Sequence, residues 1–137
     1  SNIEFNKDDL KILDKFSYNL NKIRDEIDKQ NVNFYIEYIV SSLFEANKYF
    51  NDQEPWKKKS NNIRLSSIVY TSLEIIRKIA FLLYPIIPNS SLKALKIFDL
   101  NERDISLSSL KNHKFLEFGK NIHNIGILFK KIEKKND

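Results

Sequence analysis

Hydrophobic residues recur at spacings of three and four along the first part of the chain, which is the pattern of a helix with one apolar face. The first run follows Asn6, a residue type that caps helices, and Asp8 and Asp9 suit the positive end of a helix dipole. Its apolar face consists of Leu10, Leu13, Phe16, Leu20, Ile23 and Ile27. We predict a helix from about Lys7 to about Lys29.

A second run predicts a helix between a short connection, Asn31-Val32-Asn33, and Pro55. Pro55 ends it because the residue before a proline disfavours the helical conformation. The residues expected on the buried face are Ile36, Ile39, Val40, Leu43, Phe44, Asn47 and Phe50.

A third helix is predicted to begin at a cap formed by Asn61 or Asn62 and to stop before Pro85 and Pro88. Its expected core face consists of Leu65, Ile68, Val69, Ser72, Ile76, Ile79, Ala80 and Leu83. A short fourth helix is predicted from Asn89 to about Phe98, and a single turn at Ser106–Leu110.

Long helices with short connections pack antiparallel against their neighbours. With only two glycines and three prolines, the chain also lacks the frequent turns of a β-sandwich or barrel. We therefore predict an all-α fold, an antiparallel helical bundle over residues 1–98 with an irregular C-terminal extension over residues 99–137 that packs back on the bundle.

The amino-acid composition argues against several kinds of functional site. The chain has no cysteine, two histidines and two glycines, which argues against a thiolate metal site, a Cys nucleophile and a phosphate-binding loop. We expect no catalytic centre, no metal site and no cofactor in this segment. The longest apolar run, Ile79–Pro88, is too short for a membrane helix and is interpreted as a buried helix end. The absence of cysteine favours an intracellular compartment, and we expect a cytoplasmic location. The chain contains no methionine and is expected to be a segment of a longer protein.

The net charge of +5 permits a nucleic-acid partner but does not require one, because the chain is generally rich in Asn, Lys and Ile. The most informative stretch runs from Ala46 to Lys57. Trp56, the only tryptophan, precedes three lysines and is either a stacking platform for an unpaired base, worth about 1–3 kcal/mol, or a plug for the bundle corner. Asn47 lies on the predicted apolar stripe and is either a tether between elements or a ligand contact.

Three segments resemble one family when taken in order. Ala46–Trp56 resembles the Ala-Asn-x-Tyr…Pro-Trp motif in the anticodon domain of methionyl-tRNA synthetases. Arg77–Pro88 resembles the apolar helix of that domain, which ends in Pro-x-x-Pro, and Leu128–Glu133 resembles its closing segment. The resemblance covers the chain from about Asn6 to Glu133.

The resemblance implies an anticodon-binding domain that docks the CAU anticodon loop, so that the parent enzyme can charge tRNA with methionine using ATP. It implies that Trp56 stacks on the first anticodon base, a cytosine. We predict phosphate contacts from Lys57, Lys58, Lys59 and Arg64, and structural support of the site from Asn47, Tyr49 and Pro55. Lys131 either touches the RNA backbone or lies in a segment that docks against the catalytic domain.

The resemblance implies that the family's base-reading helix precedes the start of this chain, so we expect the bundle to lack the first helix of the family. It also implies that ATP belongs to a catalytic domain outside this segment. The expected partners are the anticodon stem-loop of methionine tRNA and that catalytic domain, with no membrane and no DNA. Two alternatives stay open: the anticodon domain of a leucine, isoleucine or valine enzyme, and a helical protein-interaction module. The hypothesis of an interaction module predicts a buried Trp56, whereas the hypothesis of RNA binding predicts an exposed or half-exposed Trp56 beside positive charge.

Overall fold

The computed structural model describes residues 2–18, 28–29 and 31–117. The helices within these ranges are α1 (Lys7–Tyr18), α2 (Val32–Gln53), α3 (Asn62–Leu83), α4 (Pro88–Ile97) and α5 (Leu107–Lys111). Short 3-10 turns occupy Pro55–Lys57 and Glu102–Asp104, and the described residues contain no β-strand. The predicted all-α fold is confirmed.

Asparagine caps set where the long helices begin. Asn6 and Asp9 form a reciprocal pair at the start of α1, in which each backbone N–H donates to the other residue's side chain, at 3.0 and 2.9 Å. Asn61 accepts from the Arg64 N–H at the start of α3, as predicted, at 3.0 Å. Asn31 caps α2, so the predicted connection before α2 was too long by Val32 and Asn33.

The predicted first helix is confirmed from Lys7 to Tyr18. Residues 19–27, which include the expected core positions Leu20, Ile23 and Ile27, lie outside the described residues. Leu13 and Phe16 are buried as expected, whereas Leu10 is exposed.

The first three helices run up, down and up. At one end of α2, Tyr35 donates its hydroxyl hydrogen to the carbonyl of Leu82 near the end of α3. At the other end, Tyr49 bonds to Asp9 in the first turn of α1. Helix α2 is therefore antiparallel to both neighbours, which agrees with the prediction for helices joined by short connections.

Helix α3 is the central element of the fold. It packs against α1, α2 and α4, and its described residues from Ser67 to Leu82 are almost continuously buried. The predicted core positions Ile68, Ile79 and Ala80 are buried. Val69 and Ile76 are exposed instead, because the faces of α3 that meet α1 and α2 lie elsewhere on the helix.

The buried face of α2 was predicted wrongly. Ile39 is buried as expected, but the other apolar positions of the predicted face are exposed: Ile36, Val40, Leu43, Phe44 and Phe50. The buried residues are Tyr35, Ile39, Ser42 and Tyr49. Most buried residues precede a predicted position by one residue, as Tyr35 precedes Ile36 and Tyr49 precedes Phe50. Because each residue of an α-helix turns the chain by about 100°, the buried face is rotated by about 100° from the predicted apolar face.

The described part of the C-terminal extension packs on α3 through polar side chains. Arg77 donates to the carbonyls of Ser109 and Asn112 at 2.9 and 2.7 Å. Tyr70 donates its hydroxyl hydrogen to the carbonyl of Leu116 at 2.6 Å. The expected turn at Ser106–Leu110 is confirmed as α5, and the boundary at residue 98 stays a prediction.

Candidate nucleic-acid interface

The segment between α2 and α3 is a series of tight turns. Glu54 ends α2 in the left-handed conformation, at φ 48° and ψ 57°, which costs a non-glycine residue about 1–2 kcal/mol. The N–H of Lys57 then donates to the carbonyl of Glu54 at 2.9 Å, and the N–H of Asn61 donates to the carbonyl of Lys58 at 2.9 Å. These bonds give residues 54–61, which we call the corner segment, a defined backbone path.

Pro55 and Trp56 are neighbours in the corner segment but differ in their exposure to solvent. Pro55 is buried and fills the corner, whereas the Trp56 side chain is 52% exposed. The alternative in which Trp56 plugs the corner predicted a buried indole, which the exposed Trp56 contradicts. The buried residue at this corner is Pro55 instead. The Trp56 ring is available to a partner that approaches from solvent.

Three consecutive lysines follow the indole. Lys57 pairs with Glu54 at 3.1 Å; the Lys57 side chain is exposed and that of Glu54 is half-exposed. Exposed pairs of this kind contribute about 0–1 kcal/mol, so an incoming phosphate competes for Lys57 at little cost. Lys58 is half-buried and Lys59 is exposed. Their predicted phosphate contacts stay predictions, and their position next to Trp56 suits them.

Arg64 lies in the first turn of α3, and its side chain points into the fold. Its guanidinium donates two hydrogen bonds to the carboxylate of Asp9, each at 2.7 Å, and a third to the amide oxygen of Gln53 at 2.9 Å. A planar guanidinium held by a carboxylate in this way has few donors left for another ligand. The predicted phosphate contact of Arg64 therefore has no support in this geometry, and what the structure shows is a structural link.

Asp9 is the acceptor at the centre of this link. Its side chain is fully buried and also accepts from the Tyr49 hydroxyl and from the backbone N–H of Asn6. Burial pushes the pKa of the Asp9 carboxyl upward, but the hydrogen bonds from Arg64, Tyr49 and Asn6 outweigh it and hold that pKa below its ordinary value. Asp9, Tyr49, Gln53 and Arg64 together are called the Asp9 cluster below.

Sequence reasoning did not find the Asp9 cluster. Asp9 was assigned only to the first turn of a helix, and its i,i+3 spacing from Asn6 is the one local signal of a further role. Its charge partner Arg64 is 55 residues away, so no short motif links the two.

The predicted supporting residues have different positions. Tyr49 is buried in the Asp9 cluster and Pro55 is buried in the corner segment. Asn47 is exposed on the outer face of α2, so the reason for expecting buried partners for its amide no longer applies. Lys131 lies outside the described residues.

A groove of about 520 Å³ lies between α1 and α2, close to the corner segment. Two ion pairs lie in its lining, since Lys48 contacts Asp52 at 2.8 Å and Lys15 contacts Glu45. Among the described residues, no group of three His, Cys, Asp or Glu side chains is placed to hold a metal ion. None of the described helices has the length and apolarity to cross a membrane.

Comparison with known proteins gives one family. The family model described as the anticodon binding domain of methionyl tRNA ligase matches residues 2–137. A methionine–tRNA ligase of Rickettsia felis is 32% identical over 108 residues, which are 78% of this chain and 21% of that protein. A probable mitochondrial methionine–tRNA ligase of Dictyostelium discoideum is 34% identical over 126 residues, which are 87% of this chain and 21% of that protein.

A solved structure shows the same architecture. The free-state crystal structure of Mycobacterium tuberculosis methionyl-tRNA synthetase superimposes with a TM-score of 0.73 at 27% identity. The match covers 80% of this chain and 23% of that one. This chain therefore spans about a fifth of the length of the relatives that it matches.

Proposed function

The chain belongs to the family of anticodon-binding domains of methionyl-tRNA ligases, and from this premise we propose that it binds the CAU anticodon stem-loop of methionine tRNA. The parent enzyme charges that tRNA with methionine. Because the match covers about a fifth of the relatives, ATP and the catalytic domain are assigned to the rest of the parent chain. A cytoplasmic location stays a prediction, since one relative is described as mitochondrial.

The observation that carries the proposal is that Trp56 is 52% exposed while the adjacent Pro55 is buried. An indole presented in this way is a stacking surface for an unpaired base, and such a contact contributes about 1–3 kcal/mol. We assign the first anticodon base to this ring. The family match favours methionine over the leucine, isoleucine and valine enzymes.

Positive charge next to the ring supports contact with the backbone of the same loop. Lys57, Lys58 and Lys59 follow the indole directly, and cations that neutralise phosphates release counterions on binding. Affinity for the stem-loop is therefore expected to fall as salt rises. If the chain were a protein-interaction module without an RNA partner, its binding to a partner protein would be insensitive to salt.

The test is a fluorescence titration of the 137-residue chain with a CAU stem-loop and with one whose first anticodon base is changed. Trp56 is the only indole, so its quenching reports the proposed contact directly. We expect stronger quenching by CAU. Because Trp56→Ala has no indole, its affinity is measured with a fluorescently labelled CAU stem-loop, and we expect it to be about tenfold weaker, which corresponds to the loss of one stacked base.

Phe44→Ala is the matched control, because Phe44 is an aromatic residue that is 72% exposed on the outer face of α2, away from the corner segment. The affinity of the Phe44→Ala variant for the stem-loop is expected to equal that of the unaltered chain. Equal affinity of Trp56→Ala and Phe44→Ala would remove Trp56 from the interface. Failure of the unaltered chain to bind either stem-loop would remove the proposed function of this segment.

A further inference from the structure

One buried carboxylate joins the ends of three helices. Asp9 Oδ1 accepts from the Tyr49 hydroxyl on α2 and from Arg64 Nη2 on α3. Asp9 Oδ2 accepts from Arg64 Nη1 and from the backbone N–H of Asn6, which caps α1. Four donors thus surround a side chain that has no exposure to solvent.

The same contacts reach both ends of the corner segment. At its start, Arg64 Nη2 donates to the amide oxygen of Gln53, the last residue of α2, at 2.9 Å. At its end, the backbone N–H of Arg64 donates to the side chain of Asn61 at 3.0 Å. The amide nitrogen of Gln53 also donates to Asp8 at 3.2 Å. Trp56 lies between two points that are both tied to Asp9 through Arg64.

We propose that Asp9 is a positioning residue for the nucleic-acid interface, which acts through Arg64 and Gln53 to fix the corner segment and the direction in which Trp56 presents its ring. This inference rests on the proposed stacking function of Trp56. A platform that is fixed before binding loses less conformational freedom when the base arrives, so the complex forms with higher affinity.

A merely structural role makes a different prediction. If Asp9 only stabilises the contact of three helices, its loss lowers the free energy of unfolding, while the molecules that remain folded keep the Trp56 ring as it was. If Asp9 positions the corner, the folded molecules themselves have a more mobile Trp56. The motion of the indole in the folded state therefore separates the two roles.

The experiment compares Asp9→Asn and Gln53→Met with the unaltered 137-residue chain under conditions where circular dichroism shows each to be folded. Asn cannot accept two guanidinium bonds in the geometry of a carboxylate, and Met removes the Gln53 amide without removing its length. Time-resolved fluorescence anisotropy of Trp56 is measured without RNA, and affinity is then measured with the CAU stem-loop. We expect a faster depolarising component in both variants and three- to tenfold weaker binding, about the cost of ordering one or two side chains.

Leu95→Ala is the control for stability alone. Leu95 is fully buried in α4, which follows the opposite end of α3 from Arg64. This variant is expected to be destabilised, with Trp56 anisotropy and stem-loop affinity unchanged in its folded molecules. Gln53→Met decides the matter if Asp9→Asn does not fold, because Gln53 is only half-buried at a helix end.

Unaltered anisotropy and affinity in Gln53→Met and in folded Asp9→Asn would overturn the positioning role. An equal loss in Leu95→Ala would overturn it as well, since any loss of stability would then be sufficient. If the unaltered chain does not bind the stem-loop, the proposed function fails on its own account. The anisotropy without RNA still decides whether Asp9 fixes the Trp56 ring.

Discussion

At the scale of single residues, the least expected group is a fully buried lysine in α3. Lys78 donates to the carbonyl of Leu110 and, at 3.3 Å, to the carbonyl of Asn112. Burial, together with the positive charge of the neighbouring Arg77, lowers the pKa of Lys78 to about 7. A neutral amine keeps two N–H donors, which suffice for two carbonyl acceptors, so the fold does not require the charged form.

This pKa predicts how stability changes with pH. In the unfolded chain Lys78 has a pKa near the ordinary lysine value of 10.5, so between about pH 7 and pH 10 the unfolded state binds more protons than the folded state. The free energy of unfolding is therefore expected to rise with pH from 7 to 9.5. The buried phenols of Tyr35, Tyr49 and Tyr70 have raised pKa values and stay neutral in this window.

Urea denaturation at a series of pH values measures this rise. In Lys78→Met, which keeps most of the side-chain volume, the rise is expected to disappear. Lys93→Met replaces an exposed lysine of α4 and is expected to keep it. If Lys78→Met and the unaltered chain gave parallel curves, Lys78 would be charged in the folded state at pH 7 to 9.5.

At the scale of elements, α2 shows where hydrophobicity alone misleads. Its apolar stripe has helical spacing, but the face that meets α1 and α3 carries three tyrosines. Tyr35 reaches the carbonyl of Leu82, Tyr38 reaches the carbonyl of Lys15 at 2.8 Å, and Tyr49 reaches Asp9. The acceptors lie on other helices, so the sequence of α2 gives no sign that these hydroxyls have partners.

A pair of truncations distinguishes the two faces of α2. Ile39 is 2% exposed, and Ile39→Ala is expected to lower the free energy of unfolding by about 2–5 kcal/mol, because it removes buried methyl groups and leaves a cavity. Phe44 is 72% exposed, and Phe44→Ala is expected to change that free energy by no more than about 0.5 kcal/mol. Chemical denaturation of both variants gives the comparison, and a larger loss in Phe44→Ala would mean that the apolar stripe is the packed face.

At the scale of the whole molecule, local signals were predictable from the sequence and long-range polar contacts were not. Asn6 and Asn61 lie at the predicted helix starts, and Pro55 and Pro85 lie just after the predicted helix ends. The exposure of Trp56 could not be predicted from these local signals, but it agrees with the RNA-binding hypothesis. The pairing of Asp9 with Arg64 joins positions 55 residues apart. Such contacts depend on how complete helices pack, and no residue spacing within one helix encodes them.

The C-terminal extension is attached to α3 by further long-range contacts, which two neighbouring side chains of α3 make. Glu74 and Arg77 form an ion pair whose side chains are both fully buried. Glu74 accepts the backbone N–H of Leu116 at 2.8 Å, while Arg77 binds carbonyls at the end of α5. The pair thus satisfies backbone groups of the extension and neutralises its own charge at the same time.

Arg77→Met is expected to open the extension before the bundle, because it leaves the Glu74 carboxylate buried without a cation, at a cost of about 3–5 kcal/mol. Opening residues 105–117 lets water reach that carboxylate, whereas the α1–α2 contact is unaffected. Hydrogen exchange should therefore accelerate most in this segment, and at the Leu116 amide above all. Adding Glu74→Leu removes the stranded charge and should restore part of the stability. Equal acceleration along α1, α2 and the extension would show instead that the described residues unfold as one cooperative unit.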